Sequence, residues 1–209
     1  MKILLVDDHL VVRRGVRQIL ADEFPQAVFG EAGTAGEAMR RLREHDWTIV
    51  LLDLELPDRS GLEALADLKA ARPKLPVLIL SMHPETEFAL RVIKAGASGY
   101  LTKQSAGEEL VTAIRKAVGG GRYITASLAE QLASQAVDGS AGPPHETLSD
   151  REFQTLRMLA AGQTVKEIAA ALGLSGKTVS TYRARVLEKL RLKGTVDLAR
   201  YAIEHNLVP

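Results

Sequence analysis

Carboxylates stand directly after two short apolar runs of the chain. Asp7 and Asp8 follow the run Ile3 to Val6, and Asp53 follows the run Ile49 to Leu52. Aliphatic runs of this length are typical of parallel strands buried on both faces. Because the carboxyl ends of parallel strands open onto one crevice, we expect the three acids to converge there. Carboxylates brought together repel one another unless a divalent cation joins them, and an all-oxygen set suits Mg²⁺.

Two further polar groups follow the later strands. Ser81 comes directly after the apolar run Val77 to Leu80, and Lys103 lies just beyond Gly99 to Leu101. A carboxylate can attack phosphorus and form an acyl phosphate when a metal and a cation neutralise the transferring group. Lys103 would supply the cation and Ser81 a hydroxyl donor. Taken alone, Ser81 could merely end its strand and Lys103 could be solvated, but their joint placement favours the functional interpretation.

Residues 1–121 alternate short apolar runs with amphipathic stretches of helical length. The predicted strands are Ile3 to Val6, Val28 to Phe29, Ile49 to Leu52, Val77 to Leu80 and Gly99 to Leu101. Capping motifs predict where two of the helices begin, at Thr34 with Glu37 and at Ser105 with Glu108. Five strands alternating with five helices predict an α/β fold with a doubly wound, five-stranded parallel sheet. Gly119 to Gly121 are interpreted as the end of the fifth helix.

The remainder of the chain changes character. Residues 122–146 are interpreted as a linker, with a short helix at Ala126 to Gln135 and an exposed stretch at Val137 to His145. An all-helical pattern follows in residues 147–209. Two capping boxes predict helix starts, at Ser149 with Glu152 and at Thr164 with Glu167. We further predict a break at Gly173, a longer helix from Ser175 to about Leu190 and a last helix at Thr195 to His205. A short helix, a glycine turn and a longer basic helix indicate a helix-turn-helix.

The two parts of the chain carry opposite net charge. Residues 145–209 hold 10 basic and 7 acidic side chains, a net charge of +3, whereas residues 1–144 have a net charge of −2. The local basic stripe consists of Lys177, Arg183, Arg185, Lys189, Arg191 and Lys193. Such a stripe on a helix-turn-helix indicates nucleic acid binding. The predicted DNA contacts are Lys177, Thr178, Ser180, Thr181, Arg183 and Arg185.

These contacts divide by chemistry. Ser180 and Thr181 would read bases in the major groove, while the arginines and lysines would hold phosphates. On the last helix, Leu198, Ala199, Ala202 and Ile203 form an apolar strip, and resemblance to a known family of helix-turn-helix domains implies that this strip joins two such domains.

Composition excludes several other classes. The chain has no cysteine, so disulfides, zinc–thiolate sites and thiol chemistry are absent. No apolar stretch approaches the roughly 20 residues of a membrane helix, and the first apolar run is too short for a signal peptide. We therefore expect a cytoplasmic protein without membrane contact.

Four segments match the motifs of a known family. They read VDDH at Val6 to His9, LLDLELPDRSG at Leu51 to Gly61, LSMH at Leu80 to His83 and GYLTK at Gly99 to Lys103. The chain resembles a two-component response regulator of the NarL/FixJ family over essentially its whole length, and residues 147–190 resemble a LuxR-type helix-turn-helix. The resemblance implies a flavodoxin-like receiver domain at 1–121, a linker at 122–146 and a DNA-binding domain at 147–209.

The resemblance also implies roles for single residues. Asp53 would accept a phosphoryl group from a histidine kinase, and Lys103 would bind that group. Asp8, Asp53 and the backbone carbonyl of Glu55 would hold Mg²⁺, with Asp7 assisting. Ser81 and Tyr100 would form the switch. The protein would bind promoter DNA, pair as a homodimer when phosphorylated or DNA-bound, and catalyse nothing beyond its own phosphorylation and dephosphorylation.

Two other interpretations remain open at this point. A phosphohydrolase with an aspartyl-phosphate intermediate would need a second carboxylate two residues after the nucleophile, where this chain has Glu55. A DNA-binding protein with a vestigial receiver is disfavoured by the intact set of acids with Ser81 and Lys103. His9 and His83 lie at the predicted rim and are treated as modulators at most. Many family members carry Lys and His where this chain has Ser180 and Tyr182, so direct base contacts would be fewer here.

Overall fold

The short aliphatic runs of the first half of the chain form one sheet. A computed structural model describes residues 1–126, 128–130, 132–133, 143–205 and 207–208, and the chain divides into two units, Met1–Ser140 and Ala141–Pro209. Within the described residues, the sheet has five parallel strands: β1 (Lys2–Val6), β2 (Val28–Ala32), β3 (Ile49–Leu52), β4 (Val77–Ser81) and β5 (Gly99–Thr102). The strand order β2-β1-β3-β4-β5 confirms the predicted doubly wound sheet.

Helices follow each strand of this sheet. They are α1 (Leu10–Glu23), α2 (Ala35–Glu44), α3 (Gly61–Ala71), α4 (Glu85–Lys94) and α5 (Ala106–Val118). Side chains of α1 and α5, such as Leu20 and Ile114, pack with Ile3 and Leu51 in one hydrophobic cluster. Every residue of β3 is buried, as expected of a central strand covered by helices on both faces.

The strand β2 is longer than its apolar pattern predicts. Gly30 and Glu31 interrupt that pattern after Phe29, yet β2 continues to Ala32. The reason is backbone pairing with β1, which joins Leu4 to Gly30 and Val6 to Ala32. The indole of Trp47 also lies over Gly30. A Cβ atom at Gly30 would be 2.1 Å from that ring.

Most predicted helix starts are confirmed by their caps. Thr34 accepts a hydrogen bond from the Glu37 amide, and complete capping boxes stand at Ser149 and Thr164. At Ser105 the predicted helix start is confirmed, because α5 begins at Ala106, but the predicted side-chain cap is wrong. The backbone of Ser105 already has helical angles (φ −84, ψ −10), and its hydroxyl donates to the Thr102 carbonyl instead of capping α5. Gly120 adopts a φ of +84 just beyond α5, which fits the predicted helix stop.

The second unit is helical throughout its described regular elements. A 3₁₀ helix (Pro144–Thr147) precedes α6 (Asp150–Ala160), α7 (Val165–Ala171), α8 (Gly176–Lys189) and α9 (Thr195–Glu204). Gly173, with a φ of +64, makes the turn between α7 and α8, so the predicted helix-turn-helix is confirmed. Much of the predicted linker, residues 134–142, and part of the predicted helix at Ala126 to Gln135 lie outside the described residues. Among the described helices, none is long and apolar enough to cross a bilayer.

Candidate functional site

The carboxyl ends of β1 and β3 bring the predicted acids together. Ligand atoms of Asp7, Asp8, His9 and Asp53 all lie within 4.8 Å of one another. Asp7 and Asp53 are buried, whereas the side chain of Asp8 is 36% exposed and faces the opening. This convergence follows from the register, because Val6 pairs with Leu52 and the residues that come next emerge side by side.

Lys103 supplies positive charge to this cluster. Its Nζ atom lies 2.7 Å from Asp53 Oδ2 and 2.7 Å from Asp7 Oδ2. Burial raises the pKa of Asp53 to about 6, although the hydrogen bond and charge of Lys103 act in the opposite direction. Burial acts to lower the pKa of Lys103, but its hydrogen bonds to Asp53 and Asp7 prevail and raise it. Lys103 therefore stays cationic, and the cluster keeps an excess of negative charge.

The donor set of the cluster fits a hard divalent cation. Asp53 Oδ1 is buried and has no hydrogen-bond partner within the described part of the chain. Buried polar atoms without a partner are rare in folded proteins, so this oxygen has an unmet need for a ligand. Together with the carboxylates of Asp7 and Asp8 it forms an oxygen set of the kind Mg²⁺ prefers. His9, treated as a modulator from the sequence, places Nδ1 2.7 Å from Asp8 Oδ1.

The loop between β3 and α3 is held close to the acid cluster. Gly61 donates its amide to the Leu54 carbonyl at 2.9 Å, and a Cβ atom at Gly61 would lie 2.4 Å from Leu54 Cα. Asp58 accepts the amides of Ala35 at 3.0 Å and Gly36 at 2.9 Å, which ties the loop to the start of α2. Sequence reasoning missed Asp58, and also the capping box of Ser60 and Glu63, whose Ser-x-x-Glu spacing was visible in the sequence.

The predicted switch residues Ser81 and Tyr100 both hydrogen-bond to the backbone of His83, in the loop between β4 and α4. Ser81 is fully buried at the end of β4, and its hydroxyl accepts the amide of His83 at 3.2 Å. Tyr100 is 2% exposed, and its hydroxyl donates to the His83 carbonyl at 2.8 Å. His83 Nε2 lies 3.1 Å from Glu55 Oε1, so this loop also contacts the loop that follows Asp53. His83 thus connects three of the predicted site residues.

The predicted DNA contacts on α8 differ in their exposure to solvent. Lys177, Ser180, Thr181 and Arg185 are exposed, opposite the buried Val179 and Val186. The Thr181 hydroxyl donates to the Lys177 carbonyl at 3.0 Å. Thr178 is half-buried, and its hydroxyl lies 2.7 Å from the hydroxyl of the capping Ser175.

Two basic residues of this region also make internal contacts. The Arg183 guanidinium donates to Thr195 Oγ1 at 3.1 Å, and Lys189 pairs with the buried Glu152 at 2.6 Å. On α9, Leu198 and Ala202 are fully buried, so they cannot belong to an exposed strip as the sequence suggested. The exposed apolar residues of that helix are Val196 and Ile203. Of the predicted strip, Ile203 is exposed and Ala199 is half-buried, so only these two of its residues are accessible on α9.

Two protein families match the chain, one in each unit. The response regulator receiver domain matches residues 3–115, and the luxR family of bacterial regulatory proteins matches residues 146–202. A receiver domain joined to a LuxR-type helix-turn-helix domain is the domain architecture of a transcription regulator in two-component signalling. The chain belongs to the NarL/FixJ family of two-component response regulators.

Named relatives match over nearly the full length. The chain is 40% identical to the response regulator UvrY of Escherichia coli, over 98% of this chain and 94% of that protein. It is 39% identical to the response regulator GacA of Pseudomonas aeruginosa, over 99% and 97% of the two chains. The structure of RcsB from Salmonella enterica serovar Typhimurium bound to promoter rprA is similar with a TM-score of 0.59 and 25% identity, covering 96% of this chain and 98% of that chain.

Proposed function

We propose that phosphorylation of Asp53 in a receiver domain at residues 1–121 controls promoter binding by a domain at residues 147–209, through a linker at residues 122–146. The observation that carries the proposal is the position of Lys103, whose ammonium group lies 2.7 Å from both Asp7 and Asp53. A cation beside a buried carboxylate is what an incoming phosphoryl group requires at its oxygens. The protein would act in the cytoplasm, where promoter DNA is accessible.

The phosphoryl transfer assigns a task to each residue of the cluster. A carboxylate oxygen of Asp53 forms a bond to phosphorus while the bond from phosphorus to the donor breaks, and the leaving group keeps the electron pair. Lys103 neutralises the transferred group, and the Ser81 hydroxyl donates to one of its oxygens. Mg²⁺, held by Asp7, Asp8, Asp53 and the Glu55 carbonyl, would supply charge neutralisation when bound.

The donor we propose is a phosphorylated histidine kinase. Leu10 and Val11 follow the acid cluster directly in sequence, at the start of α1, and they are 47% and 82% exposed. Exposed apolar side chains beside a reactive crevice favour docking of another protein. The kinase would cover this surface while its phosphohistidine reaches Asp53.

The second half of the proposal is binding to double-stranded promoter DNA. Lys177 and Arg185 are exposed on α8 and available to phosphates, while Ser180 and Thr181 face away from the core toward bases. RcsB has been seen as dimers bound to DNA, and we propose the same homodimeric use of this chain. The exposed Val196 and Ile203 of α9 are suited to such pairing.

An enzymatic alternative has little support in the site. A phosphohydrolase would use the carboxylate two residues after Asp53 as a proton donor, and this residue is Glu55. Its side chain instead lies 3.1 Å from His83 Nε2. The chain would therefore act on itself alone, through its own phosphorylation and dephosphorylation.

The test is incubation of the full chain with Mg²⁺ and acetyl phosphate, followed by intact mass measurement. One phosphate should be added, Asp53→Asn should abolish the addition, and Asp8→Ala or Lys103→Ala should slow it strongly. Asp46→Asn is the matched control, since Asp46 is 87% exposed and lies outside the acid cluster. Equal labelling of Asp53→Asn and the parent chain would refute the assignment.

A further inference from the structure

The chain that leaves α5 returns along the open edge of the sheet. We call residues 122–126 with Leu128 the strap. The Tyr123 amide donates to the Ser98 carbonyl at 2.7 Å, and Tyr123 forms a parallel bridge with Gly99. A Cβ atom on Gly99 would lie 2.7 Å from the Tyr123 carbonyl oxygen, so the glycine permits this close approach. The strap thus covers part of β5, the last strand of the sheet.

Side chains fasten the strap to both neighbouring helices. Thr125 Oγ1 donates to Glu85 Oε1 of α4 at 2.7 Å and accepts the Leu128 amide at 3.2 Å. The Tyr123 hydroxyl donates to Glu109 Oε2 of α5 at 2.9 Å. Leu128 is 1% exposed, which adds apolar burial to the polar anchors. The strap is therefore a docked element and not a loose connection.

The anchors lie on the elements that carry the proposed switch. Glu85 begins α4, two residues after His83, whose carbonyl holds the Tyr100 hydroxyl at 2.8 Å. Gly99, the backbone partner of Tyr123, directly precedes Tyr100. The amide of His83 also donates to Ser81 Oγ. A displacement of Ser81 toward a phosphoryl group would therefore act first on the Glu85 end of the strap, and its contacts with Glu109 and Ser98 would open after that.

From this arrangement we propose that the strap, which is the first part of the linker, transmits the phosphorylation state of the receiver to the rest of the linker. In the unphosphorylated chain the strap is docked through Thr125 and Glu85. When Ser81 turns to the phosphorylated Asp53, the loop at His83 moves, the Thr125–Glu85 hydrogen bond breaks, and the strap leaves β5. The release of the strap by phosphorylation rests on the proposed function of Asp53, whereas the Thr125–Glu85 hydrogen bond that docks the strap does not depend on it. Phosphorylation shifts the equilibrium because the two states differ in these named contacts.

The first experiment is hydrogen exchange of the full chain with and without acetyl phosphate and Mg²⁺, with the extent of phosphorylation read from the intact mass of the same sample. The amides of Tyr123 and Leu128 should exchange about tenfold faster in the phosphorylated chain, the effect expected for losing one hydrogen bond to a charged acceptor. Asp53→Asn should show no change. Unaltered exchange at these amides in a fully phosphorylated sample would overturn the proposal.

The second experiment needs no phosphorylation. Thr125→Val removes the hydroxyl that joins Glu85, whereas Thr125→Ser keeps it. In the unphosphorylated chain Thr125→Val should speed exchange of the Tyr123 amide about tenfold, and Thr125→Ser should leave it near the parent value. If the valine variant exchanges like the parent, the contact does not hold the strap and the inference is wrong. A sample that gains no phosphate in the first experiment would instead contradict the role of Asp53. The comparison of Thr125→Val with Thr125→Ser would then still show whether the Thr125–Glu85 hydrogen bond holds the strap on β5.

Discussion

The ammonium group of Lys103 lies 2.7 Å from Asp53 Oδ2 and equally close to Asp7 Oδ2. One cation therefore serves two buried carboxylates, with the carboxylate of Asp8 beside them. The remaining negative charge destabilises the fold until a cation occupies the cluster. Several measurable properties of the chain depend on this imbalance.

The first prediction concerns Asp53→Asn in the absence of divalent cations. The pKa of Asp53 is raised by burial to about 6 from its ordinary 3.8, so the folded chain holds this proton more tightly than the unfolded chain. Stability should fall as pH rises from about 4 to about 6 and stay low above that range. Asp53→Asn, which mimics the neutral acid, should gain about 1 to 3 kcal/mol at pH 7 to 8 and little near pH 4.

Urea unfolding with a chelator at several pH values measures this difference. Asp46→Asn is the control, because it removes an exposed carboxylate and should give a small effect at every pH. Adding Mg²⁺ should stabilise the parent chain and reduce the advantage of Asp53→Asn. A loss of stability in Asp53→Asn at pH 8 without metal would show that the raised pKa is wrong.

The second prediction concerns the loop that follows Asp53. At Gly61 an added Cβ atom would lie 2.4 Å from Leu54 Cα and 2.7 Å from the Asp53 carbonyl, both backbone atoms that cannot turn aside. Gly61→Ala should therefore destabilise the chain by about 1 to 3 kcal/mol and slow labelling by acetyl phosphate. Gly107→Ala in α5 is the matched control, because nothing lies within 4 Å of its Cβ position.

The control should be neutral or stabilising by up to about 1 kcal/mol, since alanine favours a helix over glycine. Thermal unfolding of both variants gives the comparison. If Gly61→Ala unfolds like Gly107→Ala, the close approach of the loop to Leu54 is not a constraint on the fold.

Much of the site could be predicted because it depends on local pattern. A carboxylate after an apolar strand reaches the same edge of a parallel sheet whichever helices surround it, so Asp7, Asp8 and Asp53 could be expected to meet. Helix starts at Thr34, Ser149 and Thr164 could be predicted in the same way, because a capping box lies within four residues of sequence.

The predictions that failed depend on neighbours far along the chain or on backbone angles. Ser105 has the right spacing to cap α5, but its helical φ and ψ direct the hydroxyl to Thr102. Asp58 binds amides 22 and 23 residues earlier, which no local pattern reveals. Leu198 and Ala202 have the spacing of an apolar strip, but contacts with α6 decide that this side of α9 is buried.

The third prediction concerns the helical unit and the buried Glu152. This carboxylate accepts the Ser149 amide at 2.8 Å and pairs with Lys189 at 2.6 Å. Burial acts to raise its pKa, but Lys189 and Ser149 prevail and lower it. The stabilisation is therefore present above the ordinary pKa of 4.5 and is lost as pH falls through the lowered value.

Glu152→Gln should destabilise the helical unit by about 1 to 3 kcal/mol at pH 7, because Lys189 loses its charged partner. The difference from the parent should shrink at acid pH. Circular dichroism melts of the full chain measure it, with Glu204→Gln as a control on an exposed residue of α9. An equal effect at both positions would mean that the Glu152–Lys189 pair contributes nothing.

The last prediction separates two kinds of DNA-facing residue on α8. Arg185 is exposed beside the polar face, so it should hold a phosphate, whereas Ser180 lies on that face. Arg185→Ala should weaken binding to all sequences alike and reduce the slope of log affinity against log salt by about 0.9 if the arginine neutralises one phosphate. Ser180→Ala should leave the slope unchanged and alter preference at particular base pairs by about 1 to 3 kcal/mol.

Titrations against a set of mutated operators at several salt concentrations distinguish these outcomes. Arg43→Ala, on an exposed position of α2, is the control for removal of one positive charge and should change neither property. Arg183 is less suited to this test, because its guanidinium also donates to Thr195 and its removal would disturb α9. If Arg185→Ala relaxes base preference while Ser180→Ala does not, α8 enters the groove with a different face from the one proposed.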